Sequence, residues 1–83
     1  MKLEQEKKRE LAQELRRRDE DLIATAIESA IGCRLENGVL YLQYSHPSVN
    51  DFILGDYRRK LTLDAAAKQI GVAINFPEPW NGG

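Results

Sequence analysis

The chain has 83 residues, 42% of them hydrophobic and 30% charged, with a formal net charge of −1. That length excludes a second core, and the near-neutral balance excludes a generally basic nucleic-acid binder. A single cysteine excludes a disulfide framework within the chain and points to a reducing compartment; with only one histidine beside it, most protein-only zinc sites are excluded too.

No stretch approaches the roughly 18 apolar residues of a membrane span. The first residues, Met1-Lys2-Leu3-Glu4-Gln5-Glu6-Lys7, lack the apolar run of a signal peptide. A cytoplasmic chain with no membrane partner is therefore expected. The ending, Asn81-Gly82-Gly83, reads as a linker.

Residues 2–18 hold seven basic side chains against four acidic ones, an excess of three. Good helix formers without Gly or Pro predict a helix, with Glu4–Lys8 and Glu14–Arg18 in the favourable i,i+4 orientation. Leu11, Leu15 and Leu22 make a thin apolar stripe, and the first turns bury only Leu3. Asp19-Glu20-Asp21 suit either the first turn of a new helix or the middle of one long helix. From about Asp19 to Ile31, the positions Leu22, Ile23, Ala26, Ile27, Ala30 and Ile31 build one broad apolar face, with Gly32 as the residue that stops the helix.

Two extended runs follow, Cys33–Glu36 and Val39–Tyr44, around Asn37-Gly38. That dipeptide is the strongest short hairpin signal, because a type I′ turn needs positive φ at both central residues. In the second run Leu40, Leu42 and Tyr44 share the core face, and Val39, Tyr41 and Gln43 the other. Ser45-His46-Pro47-Ser48 breaks the strand, and Ser48 with Asp51 resembles a capping box. Val49, Phe52, Ile53 and Tyr57 then fall at helical spacing, with Gly55 as an internal weak point. Leu61-Thr62-Leu63-Asp64 is the expected kink, recapped by Thr62, before Ala65, Ala66, Ala67 and Ile70 lead to Gly71. Val72–Phe76 alternates as a final strand, ended by Pro77-Glu78-Pro79. The order α-α-β-β-α-β predicts an α+β two-layer sandwich with a three-stranded sheet, similar in shape to KH-type folds. Residues 1–18 read as a charged helical lead-in, 19–76 as the domain and 77–83 as tail or linker.

Few residues invite chemistry. His46 at the strand-to-helix corner lacks a recognised spacing to an acid or nucleophile and reads as a turn histidine. Cys33, just past a helix C-terminus, reads as a small buried filler whose thiol pKa is raised by the negative helix end. Gly32, Gly38, Gly55 and Gly71 stand singly, so no phosphate loop forms, and no G-x-x-G of a nucleic-acid-binding KH module lies between two helices. Arg16-Arg17-Arg18 and Arg58-Arg59-Lys60 read first as solvated surface and second as phosphate contacts. The second run is the better candidate for a phosphate or an acidic partner, since no acid follows closely. Trp80 reads either as a plug for the sheet edge or as an exposed anchor for a partner. No cofactor, metal or catalytic residue is expected.

The stretch Leu35-Glu36-Asn37-Gly38-Val39-Leu40-Tyr41-Leu42, then Val49-x-Asp51-Phe52-Ile53, Tyr57 and Gly71-Val72-Ala73-Ile74-Asn75-Phe76, resembles two related bacterial replication domains. One is the KH-like domain behind the ATPase core of the DNA polymerase III gamma/tau clamp-loader subunit. The other is the N-terminal domain of the replication initiator DnaA. Leu22–Ile31 is more similar to the gamma/tau form, because the DnaA form has aromatic first helices and residues 1–31 have none. The resemblance implies a non-catalytic module that ties together replication proteins, a helicase or polymerase subunit among them. For the DnaA form it implies self-association and helicase loading, with a partner contact at the entry of the helix after the hairpin, around His46 and Ser48. The expected partner surface comprises Tyr41, His46, Ser48, Arg58, Arg59, Lys60 and Trp80, with weak DNA contact at the basic run as the alternative.

Overall fold

A computed structural model describes residues 3–44 and 47–76. The elements are α1 (Leu3–Arg17), α2 (Asp21–Glu28), β1 (Gly32–Glu36), β2 (Val39–Gln43), α3 (Pro47–Leu54), α4 (Tyr57–Gln69) and β3 (Ala73–Asn75). The fold is α+β with a three-stranded sheet in the order β1-β2-β3, β1 antiparallel and β3 parallel to the central β2. Antiparallel β1 and β2 need only a tight turn, and Asn37 and Gly38 supply it at φ 51° and 77°. A parallel partner needs a long crossover, and α3 and α4 are that crossover.

The period of two along β2 sets the layers. Leu40, Leu42 and Tyr44 are buried, while Val39, Tyr41 and Gln43 look outward and stay half-exposed. The buried set meets Leu11 and Leu15 of α1, Ile23 and Ile27 of α2, Ile53 of α3 and Leu63, Ala66 and Ala67 of α4. All four helices thus serve one face of the sheet, and α1 is part of the core rather than a lead-in. Its stripe is Leu11, Ala12 and Leu15; Leu22, expected to extend it, is 74% exposed.

The sequence left open whether the first two helices are one, and they are two. Asp19 takes a left-handed φ of 62°. The Glu20 amide donates to the Leu15 carbonyl (2.9 Å) and the Asp19 amide to the Arg16 carbonyl (3.1 Å), the paired bonds of a Schellman stop. The same device ends α4 at Gly71, as expected: Val72 N–H donates to Ala67 O (3.0 Å) and Gly71 N–H to Lys68 O (3.1 Å). α2 is shorter than its apolar pattern, ending at Glu28, so Gly32 opens β1 instead of closing the helix. Of its expected face, Ile23 and Ile27 are buried, while Leu22 and Ile31 are not.

The helical stretch after the hairpin also divides elsewhere than expected. No kink occurs at 61–64, where α4 runs through; the break is at Gly55-Asp56. Asp56 caps α4, its Oδ1 accepting from the amides of Arg58 (2.9 Å) and Arg59 (3.4 Å), so Thr62 has no capping duty. α3 opens at Pro47, which places Ser48 within its first turn. Gly55 is the residue that lets the chain turn here: a Cβ would lie 2.6 Å from the Asp51 carbonyl oxygen, which accepts the Gly55 amide at 2.8 Å. Gly55→Ala must therefore displace backbone, at a cost of roughly 1–3 kcal/mol in a urea titration; an unchanged midpoint would show that the corner relaxes freely.

Candidate functional site

Ion pairs decide which basic residues are available to a partner. In the first run all three arginines are engaged within the domain. Arg16 makes a bidentate bond across to Glu28 of α2, including Nη1 to Oε2 at 3.0 Å, which raises the guanidinium pKa and lowers that of the carboxylate. Arg17 and Arg18 both reach the largely buried Glu14, at 3.5 and 3.0 Å. The run fastens α1 to α2 and folds back on itself.

The second run is split. Arg59 is a staple between α3 and α4: its Nη1 donates to the Phe52 carbonyl at 2.9 Å, and its guanidinium carbon lies 4.2 Å from the Phe52 ring centre. Lys60 Nζ contacts both carboxylate oxygens of Asp64 at 2.8 Å. Arg58 is exposed, and among the described residues no acid pairs with it. The N-terminus of α4, the end of a helix that attracts anions, already holds the Asp56 carboxylate.

Of the other expected contact residues that are described, Tyr41 and Ser48 sit on different elements, β2 and α3. Tyr41 lies on the open sheet face, half-buried, with the Arg34 guanidinium 4.6 Å above its ring centre. Arg34 is itself paired with Glu36 at 3.3 Å. A depression of about 340 Å³ there is lined by Gly32, Cys33, Arg34, Tyr41 and Gln43. Ser48 is exposed on α3. His46 and Trp80 lie outside the described residues. Cys33 is half-buried, its thiol donating to the Glu4 carbonyl at 3.3 Å. Burial, foremost, pushes its pKa up, so the direction expected from the sequence holds with a different cause.

What the structure does gather is a corner that residue-by-residue reading missed. Leu54 at the end of α3 is 46% exposed, and Tyr57 and Leu61 on α4 are 76% and 49% exposed. Tyr57, Leu61 and Ala65 recur every four residues, on the side of α4 opposite buried Leu63, Ala66 and Ala67. Arg58 and Lys68 flank this outer stripe. Beside it an open depression of about 220 Å³ is lined by Glu20, Asp56, Arg58, Arg59 and Thr62. That is below the roughly 300–1,000 Å³ of a small-molecule pocket. The missed signal was that α4 carries two apolar stripes, one more than its core needs. The spacing of Phe52, Ile53 and Tyr57 fits one continuous helix, and the break at Gly55 re-phases Tyr57 to the outside.

Among the described residues no three His, Cys, Asp or Glu side chains converge as a metal site requires, and no helix is long and apolar enough to cross a membrane. Comparison of the chain with family models, curated proteins and solved structures returns no match.

Proposed function

We propose that this domain is a non-catalytic protein–protein interaction module of the bacterial replication machinery, serving as a gamma/tau-like tie to a helicase or polymerase subunit. The observation that carries the interaction reading is the corner of Leu54, Tyr57 and Leu61, three large apolar side chains about half or more exposed, beside Arg58, which has no ion-pair partner among the described residues. Exposed apolar groups that cluster mark interaction sites, and Tyr and Arg are the side chains most often found to dominate them. The replication assignment rests on the resemblance carried by Leu35–Phe76. The nucleic-acid alternative is the weaker one: Asp56 occupies the amides a phosphate would use, and Arg59 and Lys60 are committed to Phe52 and Asp64.

The test is chemical-shift perturbation of the labelled chain, titrated separately with replicative helicase, with polymerase subunits and with single-stranded DNA. Localised shifts with a protein and none with DNA are expected. Shifts confined to DNA, weakening steeply with salt, would replace this reading with the nucleic-acid one; silence towards every protein would refute it.

A further inference from the structure

The outer face of α4 has a sign of charge as well as an apolar stripe, and the sign is set by which of its neighbours are already paired. Asp64 is neutralised by Lys60, and Asp56 is consumed by the α4 amides and lies 3.8 Å from Arg59. Arg58 and Lys68 have no ion-pair partner among the described residues. Glu20 lines the adjoining depression with Arg58 and, like it, has no ion-pair partner among the described residues, so its carboxylate offsets part of the Arg58 charge on that side. On a chain whose net charge is −1, this face therefore presents Tyr57, Leu61 and Ala65 between two cations that form no ion pair among the described residues.

We infer that the outer face of α4, with Leu54 at its edge, is the docking surface for an acidic amphipathic helix of a partner protein. The inference rests on the interaction-module reading and names its site and the chemistry of its occupant. A helix lying along α4 meets apolar groups at i, i+4 and i+8, the spacing at which its own anchors recur. Acidic residues flanking those anchors meet Arg58 and Lys68, while a basic helix meets the same cations unscreened. Tyr57, at 76% the most exposed large apolar side chain among the described residues, is the anchor expected to carry most of the binding energy.

The probes are two helical peptides with identical leucines at i, i+3, i+4 and i+7, one with glutamates and one with lysines on the remaining face. The glutamate peptide should shift amides of Leu54, Tyr57, Arg58, Leu61, Ala65 and Lys68, and bind at least about tenfold tighter than the lysine peptide. Tyr57→Ser should weaken it about tenfold or more while leaving circular dichroism and melting unchanged, because the side chain is solvent-exposed. The double reversal Arg58→Glu with Lys68→Glu should switch the preference to the lysine peptide. Equal binding of both peptides, or shifts at Tyr41, Gln43 and Ala73 instead, would overturn the inference. So would a dimer of the free chain abolished by Tyr57→Ser, which places a second copy on this face, or α4 shifts with single-stranded DNA. If a replication subunit shifts other amides while α4 stays silent, the acidic-helix inference fails and the interaction reading stands. If peptides and subunits all leave the spectrum unchanged, both fail.

Discussion

Leu15→Ala is expected to cost about 2–5 kcal/mol of unfolding free energy, and Leu22→Ala within about 0.5 kcal/mol of nothing. The two leucines stand seven apart and look equivalent on paper. Leu15 is fully buried among the helices and the sheet, whereas Leu22 is 74% exposed. Truncating Leu15 removes apolar contact and leaves a cavity that the surrounding helices fill only in part. Since domains are stable by only about 5–15 kcal/mol in all, this one change removes a large share. Urea titrations of both variants decide it. Equal small losses would mean that α1 is a dispensable lead-in, as its charge first suggested.

Tyr44 is expected to make the domain sensitive to alkali. Its ring is 2% exposed and stacks with Phe76, with centres 6.2 Å apart. Its hydroxyl donates to the Ala26 carbonyl at 2.6 Å, near the end of α2, where that carbonyl also accepts from Ser29. Burial, ahead of the nearby Cys33 thiol, pushes the phenol pKa well above its ordinary value of about 10. The unfolded chain then loses this proton at lower pH than the folded one. The stability of the neutral phenol is complete below about pH 10 and falls as pH rises beyond it. Tyr44→Phe should cost about 0.5–1.5 kcal/mol at neutral pH, through the lost hydroxyl bond alone, since the Ala26 carbonyl still accepts from the Ser29 hydroxyl at 2.8 Å and the Ser29 amide at 3.2 Å, and should flatten the alkaline decline. Tyr44→Ala, which also empties the ring site, should cost about 3–5 kcal/mol. Unfolding curves at neutral and alkaline pH, with tyrosinate absorbance as the probe, would expose a Tyr44→Phe variant that keeps the full alkaline slope.

What was legible in the sequence was what short-range rules govern. Asn37-Gly38 announced the hairpin, the alternation of Val39–Tyr44 announced which face is core, and Gly71 announced the end of α4. These depend on dihedral freedom and on a period, both visible within a few residues. The α1–α2 break was ambiguous because Asp19 does there what glycine does at Gly71, and an aspartate in a helix-rich run carries no such mark. The candidate site was the least legible part. Whether Arg16 or Arg59 is free depends on Glu28 and on the Phe52 carbonyl, partners that only folding brings within reach. Tyr57 changes side when one glycine interrupts one helix. Tyr41, His46, Ser48 and Trp80 were named singly, and no local rule assembles them.

The outer strands of the sheet have a further consequence, for solubility. β3 is three residues long, too short to template a foreign strand, and β1 carries Arg34 and Glu36 along its length. Short edges and edge charges are the means by which natural sheets discourage a neighbouring molecule from adding itself in a ladder of backbone hydrogen bonds. A small domain that bares leucine and tyrosine on one helix thus guards its strands against runaway polymerisation.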